Sequence, residues 1–457
     1  MQKSKVIFCS IAMMLSVWLF SGCTVTGLDA QTMMSPPNAN ADQKEISRLL
    51  IGDKQDVTFV YPKNGEYRSA IIIEDFTGDG IEDAVGFVLP ENGGVEVKFL
   101  SKDNKGTWRL LAVFNNPATQ VDRVCFGDLT GSGSKDVIIG WGNTQNNMSA
   151  SMGIYSYQNE IINETYAKNP YGEMILTDFD QDNIMEIFAV MRSVPGQDSK
   201  EDQAARAELL RFENGELRPV QWVEADNSTV RYAAILFGRI TENLYAVVLD
   251  GMKADSSMTT QIFYIDAYGR MINIPKGVND ESAVNPLFRP PGAGGTARDI
   301  NGDGIIEFPV VSLLPSVQDP SAVDSTSFLV IWSAYDAEKR EYRPVKEMLM
   351  NYAEGYRFTL PKSLIGKITA IHDTKLKAVT YYSVTPQGKK NQDALMNSPL
   401  FTVRVFTKNA WKQRGESSGY ELLAEKQDYV YGISVLATDS AAQIAIRQIK
   451  YSFEIDG

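Results

Sequence analysis

Short apolar runs with polar alternation recur between turn-forming clusters along most of the chain, the pattern of strands rather than helices. The clearest stretch predicts four strands at 69–73, 83–89, 95–100 and 108–114, with turns at Asn92-Gly93-Gly94 and Asn104-Lys105-Gly106. An earlier strand is predicted at 56–61, preceded by a short helix at 43–50. A strand, loop, strand outline then repeats. Apolar runs at 70–73, 124–126 and 174–176 enter loops that leave through 84–89, 137–141 and 187–191. A further pair, 231–237 and 244–249, flanks the polar stretch GRITEN.

The loops carry the candidate chemistry. Oxygen-bearing side chains recur at the first, third, fifth and ninth positions: Asp75, Thr77, Asp79, Asp83; Asp128, Thr130, Ser132, Asp136; Asp178, Asp180, Asp182, Glu186; and Asp299, Asn301, Asp303, Glu307. Calcium takes six to eight hard oxygens at about 2.3–2.6 Å, and a loop of alternating donors around a sharp turn supplies them from one segment. The seventh residues, Ile81, Ser134, Ile184 and Ile305, would add a backbone carbonyl. Position six is Gly80, Gly133, Asn183 or Gly304, the residue types that tolerate a positive φ. Ordinary strand turns also gather Asp, Asn and Gly, but four sets in register are not explained that way. Crowded carboxylates repel without a cation, so the ion is expected to be structural and chelation to loosen the fold.

EF-hands are excluded, because their bidentate Glu at position twelve is here Gly86, Ile139, Ala189 or Val310, and strands rather than helices flank the loops. First positions are 53, 50 and 121 residues apart, and the last gap accommodates the GRITEN unit without its carboxylates. A period of this size, with four antiparallel strands per unit, predicts an all-β fold of radial repeats: a β-propeller of about five blades, alternatively seven.

These units resemble the FG-GAP or VCBS repeat, the blade of integrin α-subunit propellers and of many bacterial surface proteins. The signature Asp-x-Asn/Asp-x-Asp-Gly-x-x-Asp is matched best at 70–90 and 294–311, less closely at 122–141 and 172–191, and not at 231–250. The resemblance implies calcium in the loops and a binding or scaffolding surface. It names no ligand, since adhesins and enzymes share the repeat.

Lys3 and Lys5, an apolar stretch at 6–20 and the small pair Ser21-Gly22 before Cys23 predict a secretory leader over 1–22. The last residues resemble a bacterial lipobox, with Phe20 where Leu is commonest, so Cys23 is the expected lipidation site. Residues 23–51 read as a lipid-anchored flexible linker. The protein is therefore expected outside the cytoplasm, held to the cell membrane or the outer membrane. With 57 acidic against 44 basic residues and a net charge of −13, nucleic acid is not an expected partner. Cys9 belongs to the leader and Cys23 to the anchor, which leaves Cys125 alone, without an intrachain disulfide and in an apolar strand that suits a buried small hydrophobe.

Residues 52–351 accommodate five units, and 352–457 predict either a small α+β domain or two degenerate blades. In that region strands are expected at 356–360, 368–371, 378–384 and 401–406, and helices at 409–414 and 440–449. The sequence argues against an active site: His372 is the only histidine, and no phosphate loop or nucleophile elbow appears. The expected role is a surface binding or scaffolding module for a protein or glycan. Its alternative is an extracytoplasmic polysaccharide hydrolase or lyase using carboxylates. Trp141 and Trp222 are possible contacts, both more simply read as core.

Overall fold

A computed structural model of the chain describes residues 41–455 except 54–55, 92, 144–145, 168–169, 192–204, 275–284, 316–325 and 388–392. The leader, Cys23 and most of the linker lie outside these residues. Among the described residues the protein is mostly β, in six antiparallel sheets of four or five strands, none closed into a barrel.

Sheet I holds Asp83–Pro90, Val95–Lys102 and Trp108–Asn116, with Val57–Phe59 and Ile71–Ile73 sharing one edge. Sheet II runs through Gln120–Gly127, Asp136–Asn143, Asn146–Gln158 and Ile161–Tyr166. Sheet III follows with Glu173–Thr177, Glu186–Met191, Arg206–Glu213 and Glu216–Glu224. Sheet IV contains Thr229–Thr241, Leu244–Lys253, Met258–Ile265 and Met271–Ile274, with Phe288–Arg289 added beside Met258–Ile265. The GRITEN stretch is its first hairpin, turned at Glu242-Asn243.

Sheet V comprises Phe308–Leu313, Ser327–Asp336, Glu341–Asn351 and Tyr356–Thr359, and the C-terminal Glu454–Ile455 pairs with the last of these. The 351/352 boundary expected from sequence falls inside this sheet. Sheet VI, in the order Ile368–Asp373, Ala378–Gln387, Asp393–Thr407, Tyr429–Val435, Glu421–Lys426, completes the series.

Strand alternation gives each sheet two apolar faces, and consecutive sheets use them to cover one another. Val85, Phe87, Val97 and Phe99 of sheet I pack against Val137, Ile139, Trp141 and Tyr155 of sheet II. The opposite face of sheet II, with Ile138, Met152 and Ile154, meets Ile187, Ala189 and Leu210 of sheet III. Phe188, Val190 and Leu209 then meet Val247, Leu249 and Phe263 of sheet IV. Ala246, Val248 and Ile262 pack against Phe308 and Tyr335 of sheet V. The last core joins Leu349 and Phe358 to Tyr381, Phe401 and Val403 of sheet VI.

The sheets share an orientation. The fourth strands follow one another, Trp108–Asn116 beside Ile161–Tyr166, then Glu216–Glu224, then Met271–Ile274. Helix α1 (Ala41–Ile51) covers the remaining face of sheet I, with Ile46 and Leu50 buried on Ala84, Val88, Leu100 and Trp108. Eleven residues of the expected linker are thus part of the fold, because Ile46 and Leu50 stand four apart on one helix face. Helix α2 (Ser440–Tyr451), capped by Asp439, buries Ala445, Ile446 and Ile449 in the last core. No helix among the described residues is long and apolar enough to cross a membrane.

Candidate metal centres

Each of the first three acidic loops leaves the end of one strand and enters the next, the fourth is closed by an isolated bridge between Arg298 and Glu307 before the strand at Phe308, and in all four the loop's own carboxylates hold its shape. The first residue accepts the amide of the sixth through Oδ2 in every loop: Gly80 to Asp75 at 2.9 Å, Gly133 to Asp128 at 2.7 Å, Asn183 to Asp178 at 3.0 Å and Gly304 to Asp299 at 2.8 Å. The ninth accepts the amide of the second: Phe76 to Asp83 at 3.2 Å, Leu129 to Asp136 at 2.8 Å, Phe179 to Glu186 at 2.8 Å and Ile300 to Glu307 at 2.9 Å. The fifth takes the amide of the seventh in three loops, as Ile81 to Asp79, Ile184 to Asp182 and Ile305 to Asp303, each at 2.8 Å. In the second loop Ser134 donates to Ser132 at 3.3 Å. The third-position residues Thr77, Thr130, Asp180 and Asn301 therefore stand between a clamped first residue and a buried ninth.

Position six has φ between 71° and 84° in the four loops. Position four is left-handed as well, at Gly78, Gly131, Gln181 and Gly302, a requirement that the offsets of the ligands do not reveal. The ninth carboxylates are all but sealed from solvent, and burial pushes Asp83, Asp136, Glu186 and Glu307 above the ordinary carboxylate range. Asp299 moves the other way, held down mainly by the Gly304 amide with those of Gly302, Asn301 and Asp303.

The first three loops adjoin in sequence. A Cβ on Gly78 would approach the Ser134 Cβ to 3.2 Å, the Met185 amide donates to the Asp128 carbonyl at 2.9 Å, and Gly131 lies against Ile184. The fourth abuts the first hairpin of sheet IV, where the Ile306 amide donates to the Arg239 carbonyl at 2.8 Å.

The loops differ in how well they suit a cation. In the first, Asp83 Oδ1 and Thr77 Oγ1 are buried without a well-formed hydrogen bond, an oxygen pair that fits a hard ion. In the fourth, the Asn301 amide nitrogen donates to Asp303 at 2.9 Å and to Glu307 at 3.3 Å, so a cation there requires the amide to turn over. In the third, oxygens of Asp178, Asp180 and Glu186 lie within 4.8 Å of one another. Arg211 already engages two of them, donating to Glu186 Oε1 at 2.9 Å and to Asp180. Burial opposes this guanidinium, but Glu186 and Asp180 hold it above its ordinary value. Sequence reading missed Arg211, although a basic residue inside the apolar run AELLRFE was its trace.

Two buried charge clusters lie apart from the loops. Arg289 and Asp250, both fully buried, pair at 2.8 Å; Arg289 also reaches Thr260, and Asp250 accepts the Ala297 amide. Asp122 accepts from Tyr171, Asn64 and Arg123, and Arg123 meets Glu173. Trp141 is core at 2% exposure, but Trp222, on an edge strand, is 62% exposed and corrects the core reading. His372 is largely buried and its Nε2 lies 2.9 Å from Glu354, a tie between sheets V and VI.

No family model matches this chain, and no curated protein does. Among solved structures, one reported as an exo-β-1,3-galactanase of Bifidobacterium bifidum s17 is similar at 12% identity and a TM-score of 0.24, over 65% of this chain and 92% of that one. A likeness so weak carries no argument about function.

Proposed function

We propose that this protein is a lipid-anchored, extracytoplasmic binding or scaffolding module whose sheets are arranged as propeller-like blades and stabilised by calcium. The observation that carries the metal is the first loop, where the sealed Asp83 Oδ1 and the Thr77 hydroxyl both lie buried without a well-formed hydrogen bond. Asp75, Thr77, Asp79 and Asp83 would hold the ion, with the Ile81 carbonyl in support, and the ion would neutralise the three carboxylates of this loop. The sheets support the blade reading because consecutive ones stack face to face with their fourth strands in line. The acidic surface and the exposed Trp222 suit a protein or glycan ligand rather than nucleic acid.

The test is thermal melting of the full chain in EDTA and in calcium, with capture from envelope extract under both conditions. A rise in Tm with calcium, together with calcium-dependent capture of a protein or glycan that Trp222→Ala weakens, is the expected result. An identical melting curve in both buffers would sink the calcium reading. Labelled fatty acid incorporated by the wild type but not by Cys23→Ser tests the anchor.

A further inference from the structure

We propose that in the third loop the guanidinium of Arg211 takes the place of the divalent ion, so that this loop is closed without metal and calcium dependence is confined to the others. This rests on the reading of the loops as cation sites. The position facing the ninth carboxylate across the sheet differs between loops. Asp83 pairs in register with Ser101, and Asp136 faces the Ser156 hydroxyl. Glu186 faces Arg211. One step beyond the Phe308–Ser333 pair, in line with Glu307, stands Ala334.

Among the described residues, the third loop is thus the one whose ninth carboxylate faces a permanent cation in register, whereas in the fourth loop Arg239 lies against Gly304 rather than opposite Glu307. The third loop also has the greatest need of one, since all four of its ligand positions are acidic, Asp178, Asp180, Asp182 and Glu186, against three in the first loop.

The geometry makes guanidinium and ion alternatives. Arg211 uses Nε on Glu186 Oε1 and Nη2 on Asp180 Oδ2, a planar fork spread over the third and ninth ligands. A calcium ion would need those two carboxylates, with Asp178, at about 2.3–2.6 Å from a common centre. Both cations cannot share the oxygens at those distances. In the first loop the Asp83 carboxylate meets, besides backbone amides, only the neutral hydroxyls of Thr77 and Ser101 and no cation, and the nearby lysines are engaged elsewhere, Lys102 with Asp42 and Glu82 and Lys135 with Glu74.

The experiment counts bound calcium on the full chain by native mass spectrometry and titration calorimetry, for wild type, Arg211→Ser and Asp180→Asn. Serine reproduces the first two loops, so R211S is expected to bind one more calcium per chain than wild type. It should melt below wild type in EDTA and recover when calcium is added. Asp180→Asn in the wild-type background should leave the count unchanged. Loss of one ion in D180N, or no gain in R211S, overturns the proposal. If R211S folds only with calcium present, that outcome supports it. A wild type that binds no calcium, beside an R211S that binds one, would refute calcium in the other loops while upholding Arg211 as the internal cation. If neither chain binds an ion, both readings fall.

Discussion

Replacing Asp83 by Asn should change stability with opposite sign in the presence and absence of calcium. The wild-type carboxylate is fully buried; Oδ2 accepts the Phe76 and Thr77 amides, while Oδ1 makes no well-formed hydrogen bond, with the Thr77 and Ser101 hydroxyls as its nearest donors. Each buried unsatisfied polar atom costs about 1–3 kcal/mol. The asparagine carbonyl can keep both amides, and its NH2 supplies a donor where Oδ1 stood, so in EDTA the variant should be more stable by about 1–2 kcal/mol.

Calcium reverses the order. A ligand at a hundred times its Kd stabilises by about 2.7 kcal/mol, and each tenfold loss of affinity removes about 1.4 kcal/mol of that. Losing one of three charged ligands weakens the site, so wild type should overtake the variant. The assay is a pair of melting or urea curves for each protein, in EDTA and in millimolar calcium. A D83N curve displaced in the same direction and by the same amount in both buffers would mean that Asp83 only braces the loop, and would refute the reasoning.

Four further outcomes are expected. Asp250→Ala strands the fully buried Arg289 and orphans the Ala297 amide, so unfolding in urea should show a loss of about 3–5 kcal/mol, with Asp250→Ala/Arg289→Met recovering much of it. Burial opposes ionisation of Asp122, but Arg123, Tyr171 and Asn64 outweigh it and hold its pKa below the ordinary 3.8. Its contribution is therefore present above that value and lost as pH falls through the lower folded one, so Asp122→Asn should flatten acid unfolding below about pH 4. Glu173, raised by burial, contributes with the opposite sign and fades as pH rises through its folded pKa. Burial pushes the Cys125 thiol from 9.0 to about 11, so peptide mapping after alkylation at pH 8 should find it labelled roughly a hundredfold more slowly than after unfolding.

The parts of the fold legible in sequence were those where local chemistry and tertiary contacts agree. The four strands predicted over 69–114 appear in sheet I within a few residues of their expected places, because alternation marks their faces and Gly93, Gly94 and Gly106 punctuate them. The strands Glu421–Lys426 and Tyr429–Val435 were missed: their turn places Gln427 at φ 50°, with neither Gly nor Pro to announce it. Glu454–Ile455 joins sheet V through a pairing almost a hundred residues long in sequence, which no local pattern encodes. The ligand set of each loop was readable from its offsets. The residue across the sheet was not, because Ser101, Ser156 and Arg211 acquire their relation to the loops only through strand register.

Register also bears on how the row of sheets ends. A ring of blades would cover the outer face of sheet I with the last sheet, whereas here α1 does so. Ile46 and Leu50 are fully buried on that face, Leu50 lies where a Cβ on Gly86 would stand, and Asp42 accepts from Lys102 at 3.0 Å and from the Trp108 indole at 3.1 Å. Such a helix acts as a terminal cap, giving a stack of repeats a polar outer surface. Leu50→Ala should then cost about 2–5 kcal/mol, the range for emptying a core leucine site, and should open sheet I to proteolysis before the other sheets. If sheet VI instead occupies that face in solution, α1 is peripheral. The same substitution would then shift the unfolding midpoint by well under about 1 kcal/mol and leave the cleavage pattern unchanged.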